Sequence, residues 1–370
     1  MIFRRLIQTG AALMGLAILV SLLVTPDIGA GLPWVIFGEC GVALVLMASG
    51  PARGKIAHRG LAVFLVCFAY FLLLGTLFTT HWPDYKLSWL SAVYAALPSV
   101  RSLPVPLLSN GLEPNQMGGV IAACAGFAFA LAIGRRPVAP DGDWRRRLRI
   151  GCMPLAALGP IVVFMTGSRA ALAGLAVALV LVLVGRDRHW LWLPASASVA
   201  TLWAWVLRPQ LVKSVASLLL HEETVTTKVV ARLDIWASAI RGIEDHAFTG
   251  IGLGVFNQVI PARYPYETVA LSYSVSQAHN IFLDTALSIG LPGLLGLVLL
   301  LAGMIGLARD GISSGGKDRN LYVGLAAVIA VFMIFGISDS FNLSNPSSLI
   351  LWLVAAGLAV LPNGKVNSTL

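Results

Sequence analysis

Three short stretches hold residues suited to chemistry on a phosphate-bearing substrate. In "SQAHNIF" (276–282), His279 stands directly before a long apolar run. A neutral imidazole accepts a proton near physiological pH, so His279 is either an interfacial side chain or a base held over a lipid-borne substrate. Asn280 either orients that histidine or a substrate hydroxyl, or caps the helix that begins there. In "FMTGSRAALAGL" (164–175), Gly167, Ser168 and Arg169 form a tight turn between two apolar runs. The planar guanidinium fork of Arg169 matches phosphate oxygens; the alternative is an anchor that snorkels to the headgroups. In "ARLDIWASAIRGIEDH" (231–246), Arg232, Trp236, Ala239 and Ile243 fall on one helical face. Arg241 lies about 180° away and, with Glu244 and Asp245 nearby, reads as a surface salt bridge.

Other candidates carry less. "GIGLG" (250–254) has the glycine spacing of a dinucleotide loop but lacks the preceding strand, the βαβ unit and the distant acid. It reads as a turn whose glycines allow close backbone approach. His81, His221 and His246 have no setting comparable to that of His279, and "HEE" (221–223) reads as solvated. No cluster has metal-ligand spacing, and no Asp-x-Asp pair marks a membrane border, so the expectation is no metal and no cofactor. Cys40, Cys67, Cys124 and Cys152 lie in apolar segments without a CxxC pair, and read as small buried packing residues.

The elements that must position these residues are membrane helices. Of 370 residues, 57% are hydrophobic and only 12% charged, about half the charge of an ordinary soluble domain; the mean hydropathy is +0.83. Apolar runs approach the ~20 residues needed to cross a bilayer as a helix. Spans are expected near 6–24, 32–49, 59–79, 117–134, 150–166, 169–185, 190–207, 280–307, 321–338 and 348–362. The fold class is therefore an all-α polytopic membrane protein with about ten transmembrane helices. The first span reads as a retained anchor rather than a cleaved leader, because its apolar run is long and a second span follows at once.

The net charge of +9 does not point to nucleic acid. With the N-terminus inside, most Lys and Arg fall on short inner connections, as at Arg4, Arg5 and Arg145–Arg149. Two outer segments exceed simple turns: 80–116, with an interfacial or re-entrant helix in "LSWLSAVYAALPSV", and 208–279, the largest polar segment. The organisation is then 1–207, an N-terminal bundle; 208–279, a partly helical outer loop; and 280–370, C-terminal transmembrane helices.

Taken in order, "LEPNQMGGVIAA", "TGSRAALAGL", "RLDIWASAI" with "GIGLGVF", and "AHNIFLDTALSIGLPGLLGLVLLL" resemble the O-antigen ligase family, which also contains O-antigen polymerases. The resemblance covers roughly 105–307, with only hydropathy matching elsewhere. It implies a metal-independent glycosyltransferase of GT-C type, using undecaprenyl-diphosphate-linked glycans at the periplasmic face of the inner membrane. Carried over residue by residue, it implies that Arg169 and Arg232 hold the diphosphate and that His279 is the general base, with inversion at the anomeric carbon. Asn115, in the Pro-Asn element that opens an earlier span, joins Ser168, Trp236 and Asn280 as possible supporting residues. The implied acceptor is lipid A–core, or another lipid-linked repeat unit if the protein is a polymerase. The family implies about twelve spans where ten are read here. A transporter for the same lipids would concentrate charge at mid-bilayer, and the spans offer little beyond Glu39.

Overall fold

The computed structural model describes residues 2–50, 55–79, 90–97, 114–134, 143–187, 222–268, 275–316, 318–339 and 341–361. These form 12 α-helices, with no strand among the described residues. Helices α1 (Ile2–Val24), α2 (Ile28–Ser49), α3 (Lys55–Thr79) and the short α4 (Ser91–Ala96) are followed by α5 (Pro114–Ile133), α6 (Asp143–Met165) and α7 (Arg169–Arg186). Next come α8 (Glu222–Asp245), α9 (Phe256–Arg263), α10 (Ile281–Ser313), α11 (Arg319–Ser338) and α12 (Leu349–Val360). Among the described residues, 7 helices are long and apolar enough to cross a membrane: α1, α2, α5, α6, α7, α10 and α11. The spans expected at 59–79 and 348–362 correspond to α3 and to the shorter α12. The one expected at 190–207 lies outside the described residues. This is a multi-pass, all-helical membrane protein.

The helix "GGVIAACAGFAFALA" of α5 is apolar all round, as an interior helix should be. It is enclosed by α3, α6, α7 and α11, with Val120, Ile121, Ala122, Ala125 and Ala128 buried. The α1–α10 pair is built on glycines. A Cβ on Gly10 would stand 2.6 Å from the carbonyl oxygen of Gly296, and one on Gly303 would stand 2.6 Å from that of Phe3. Lipid supplies no hydrophobic force between helices, so close backbone packing at small residues takes its place. The same reasoning corrects one expectation. Of the four cysteines only Cys152 is buried; Cys124 is half-buried, and Cys40 and Cys67 face outward, where lipid is as tolerant of a small thiol as a core is.

One end of the bundle is basic. There Arg149 Nε donates to the carbonyl of Ala132 at 2.8 Å, and the Arg186 guanidinium reaches that of Ile133, both at the close of α5. Arg319 meets the carbonyl of Gly185 near the end of α7, and Arg145 pairs with Asp318 at 2.8 Å. These carbonyls have no partner within their own helices and carry the negative end of the helix dipole, so arginine is suited to them.

The opposite end gathers the α1–α2 connection, the starts of α5, α7, α10 and α12, and the end of α11. A small unit of α8 and α9, with an apolar core of its own, covers part of it. Its own core comprises Ile235, Ala239, Val255, Phe256, Val259, Ile260 and Tyr266, closed from below by Leu287 of α10. Of the face expected on α8, Ala239 is buried and Ile243 packs against this core.

The apolar run after His279 is not one straight helix. α10 breaks at Ile289 (φ −129°, ψ 17°) and Gly290 (φ 75°, ψ 174°). The "GIGLG" turn lies against the break, where Ile251 and Gly252 N–H groups donate to the carbonyls of Leu287 and Ser288 at 2.8 and 3.1 Å. Leu291 N–H in turn donates to the carbonyl of Ala247 at 2.6 Å. A Cβ on Gly250 would meet the Ser288 carbonyl at 2.5 Å, so the glycine is needed for the approach. Non-helical backbone near a membrane is tolerated where protein satisfies the freed groups, and here the loop does so. The first two turns of α10 are thereby a separate half-helix, docked on the α8–α9 unit.

Candidate active site

His279 lies just before that half-helix, with its side chain 27% exposed. Its backbone has φ +54°, the single positive value for a non-glycine among the described residues. Such a conformation persists only where surroundings enforce it. Asn280 enforces one side of it as the N-cap of α10: its Oδ1 accepts from the amides of Phe282 and Leu283 at 3.0 and 3.2 Å. Its amide also donates to the carbonyl of Ile337 on α11 at 3.3 Å. The capping alternative thus accounts for Asn280 Oδ1. Trp236 supports the other side, its indole N–H donating to the carbonyl of Ala278 at 2.8 Å.

The residue that sequence reasoning missed is Asp339. Its Oδ1 lies 3.1 Å from His279 Nδ1, and its side chain is only 4% exposed. An ionised carboxylate only accepts, so Nδ1 carries the hydrogen and Nε2 keeps the lone pair. The protonation is assigned from this hydrogen-bond pattern. Gln277, also buried, donates from Nε2 to the same Asp339 oxygen at 3.3 Å. Asp339 is fixed as the C-cap of α11, its amide donating to the Phe335 carbonyl at 2.8 Å. Phe341 then turns back to stack on Phe332 with ring centroids 5.1 Å apart. A legible signal existed: "SDSFNLSNPSS" (338–348) places an acid where one apolar span ends and another is about to begin.

Burial presses the His279 imidazole toward its neutral form. The hydrogen bond and charge of Asp339, and then the charge of Asp284, outweigh that pressure, with Arg232 pulling back, so the pKa lies above its ordinary value. For a base that must be neutral to act, activity is lost as pH falls through this raised pKa. Asp339→Asn removes the largest of the raising influences. The acid limb of the kcat/KM profile is therefore expected to move to lower pH, and the plateau rate to fall roughly 10²-fold. An unshifted limb with an undiminished plateau would show that Asp339 does not act on His279.

Arg232 begins the described amphipathic face of α8, half-buried, and its charge reaches His279. Arg169 is exposed at the first position of α7. Among the described residues neither guanidinium has a hydrogen-bond or ion-pair partner. Arg241 differs: it donates to Ser238 and to the carbonyl of Pro265, both at 3.0 Å, and faces Glu267 at 4.0 Å rather than Glu244 or Asp245.

Ser168 is the N-cap of α7, its Oγ accepting from the amide of Ala171 at 3.3 Å, so its hydroxyl is committed to the helix. The first amides of α7 remain beside Arg169, and the positive end of a helix dipole favours an anion there. This turn packs on α5, where a Cβ on Gly118 would stand 2.6 Å from Thr166 Oγ1 and 3.2 Å from Ser168 Cβ. α4 covers its rim through Tyr94, whose hydroxyl donates to the carbonyl of Met165 at 2.8 Å. Asn115 is half-buried at the second position of α5, beside Gln116, whose Oε1 accepts from Asn345 at 2.5 Å.

The structure thus makes two groups. His279, Asn280, Trp236 and Arg232 stand together with Asp339. Arg169 and Ser168 form a second group against the start of α5, which carries Asn115 and whose Gln116 bonds to Asn345 of the 341–348 loop. Among the described residues, no three His, Cys, Asp or Glu side chains converge on a metal-sized site.

No curated protein matches the chain in a sequence comparison. A protein-family model described as "O-Antigen ligase" matches residues 154–298, under half of the chain, and that segment contains Arg169, Arg232 and His279. With its apolar helices, the chain is a multi-pass membrane protein whose 154–298 segment is similar to the O-antigen ligase family.

Proposed function

We propose that the protein is a ligase: a glycosyltransferase that moves a glycan from undecaprenyl diphosphate to lipid A–core at the periplasmic face of the inner membrane. The observation that carries this reading is the His279–Asp339 pair, with Arg232, which has no partner among the described residues, beside it and Arg169 at the same end of the bundle. His279 Nε2 takes the proton of an acceptor hydroxyl as that oxygen attacks the anomeric carbon. The bond between that carbon and the diphosphate oxygen breaks, and the leaving diphosphate keeps the electron pair. Arg169 and Arg232 stabilise its charge, while Asp339 stabilises the imidazolium. A single displacement inverts configuration. The basic end of the bundle faces the cytoplasm in this reading.

Two measurements test it. A cysteine at Glu267, which is exposed in the α8–α9 unit, is expected to react with a membrane-impermeant thiol reagent in cells whose outer membrane alone is permeabilised. Labelling only after inner-membrane lysis would reverse the topology. In a deletion strain, gel analysis of lipopolysaccharide is expected to show loss of all capping, with polymer accumulating on the lipid carrier. A core bearing a single repeat would instead identify a polymerase, whose acceptor is another lipid-linked repeat.

A further inference from the structure

We propose that Asp284 is a positioning residue for His279: with Trp236 it grips both main-chain polar groups of Ala278 and holds the histidine in its left-handed backbone conformation. This rests on the reading of His279 as the base. Ala278 N–H donates to Asp284 Oδ1 at 2.6 Å, and its carbonyl accepts from Trp236 Nε1 at 2.8 Å. Ala278 is fully buried and Asp284 is 2% exposed. The carbonyl of Ala278 belongs to the peptide plane whose rotation sets φ of His279. Trp236 holds that plane from α8, while Asp284 holds the preceding plane, which carries the Ala278 N–H, from α10; with Ala278 fixed on both sides, the +54° value is retained. Released, it relaxes to negative φ, as any non-glycine residue prefers, and the imidazole swings away from Asp339.

An aliphatic residue at 284 would suit a buried site in an apolar helix better than a carboxylate does. The first turn of α10 is where a negative charge meets the positive end of the helix dipole. The carboxylate also faces His279 together with Asp339 of α11, and Arg232 of α8 opposes both. Asp284 therefore sets the imidazole's place through a hydrogen bond and its proton affinity through charge. The two effects separate by substitution. Asp284→Asn keeps an acceptor oxygen and loses the charge; Asp284→Leu loses both; Trp236→Phe removes only the indole N–H.

The test uses the full chain in detergent, with a lipid-diphosphate-linked glycan as donor and lipid A–core as acceptor. Trp236→Phe and Asp284→Leu are each expected to lower kcat by about 10²-fold, the cost of a small misplacement, with the donor KM unchanged. Asp284→Asn is expected to restore most of kcat and to shift the acid limb of the pH profile to lower pH. If Asp284→Leu fails to insert, Trp236→Phe and Asp284→Asn decide the matter. Wild-type kcat in Trp236→Phe and an unshifted limb in Asp284→Asn, beside an inactive His279→Ala, would overturn the positioning role and leave the base reading standing. An active His279→Ala would overturn the base reading itself.

Discussion

His279→Ala is expected to lower glycan transfer by ~10²–10⁴-fold, the range a general base contributes, while the protein inserts normally. The side chain lies at the rim of the bundle and is partly exposed, so its removal leaves no large core cavity. Alanine does disfavour the positive φ at this position. His279→Asn is therefore the sharper variant, because asparagine tolerates that backbone yet provides no base. Both variants are expected to be inactive at wild-type expression levels. Near-normal transfer by either would remove His279 from the reaction and reduce it to an interfacial side chain.

The second large effect is expected at the arginines. Arg169→Lys and Arg232→Lys are each expected to cost ~10²–10³-fold in kcat, the loss seen when a donor to a developing charge is removed. Lysine keeps the charge but loses the two-pronged planar geometry that matches phosphate oxygens. A surface anchor would tolerate lysine, since either side chain snorkels to the headgroups. The assay belongs in EDTA beside the wild type, whose activity is expected to survive chelation. Full activity in both lysine variants would make the arginines anchors, and an EDTA-sensitive wild type would require a divalent ion in the reaction.

The two arginines are not equivalent in the fold. Arg232 rides on the α8–α9 unit and its charge is felt at His279, whereas Arg169 starts α7 on the bundle itself. A diphosphate held by both would tie the unit covering the bundle to the bundle. The break in α10 at Ile289 and Gly290 lies where these parts meet, and the 247–252 loop satisfies the groups it frees. In the sequence the glycines of "GIGLG" read as agents of close approach. Their partner, a helix broken in mid-run, was hidden because the run "IFLDTALSIGLPGLL" stays apolar across the break. Hydropathy records what a residue prefers to touch, not its backbone torsion.

What the sequence by itself determined is whatever depends on local pattern. Apolar length requires helices, because lipid leaves the backbone no other partner. The arginine-rich connections mark one end of the bundle, the spacing of Arg232, Trp236, Ala239 and Ile243 marks one face of α8, and "TGSR" marks a turn. Only the tertiary structure decided which distant groups meet. Asp339 lies 60 residues from His279 in the chain yet 3.1 Å away in space, and no periodicity encodes that distance. Asn280 reads equally as a site residue or a cap, and the amides of Phe282 and Leu283 on its oxygen make it the cap of α10. Trp236 reads as a face residue and Asp284 draws no reading at all, yet both hold Ala278. Hydrogen bonds between side chains and a distant backbone follow from how helices pack against each other. That packing, through the glycine contacts of α1 with α10 and of α5 with its neighbours, is a property of the assembled bundle and not of any one segment.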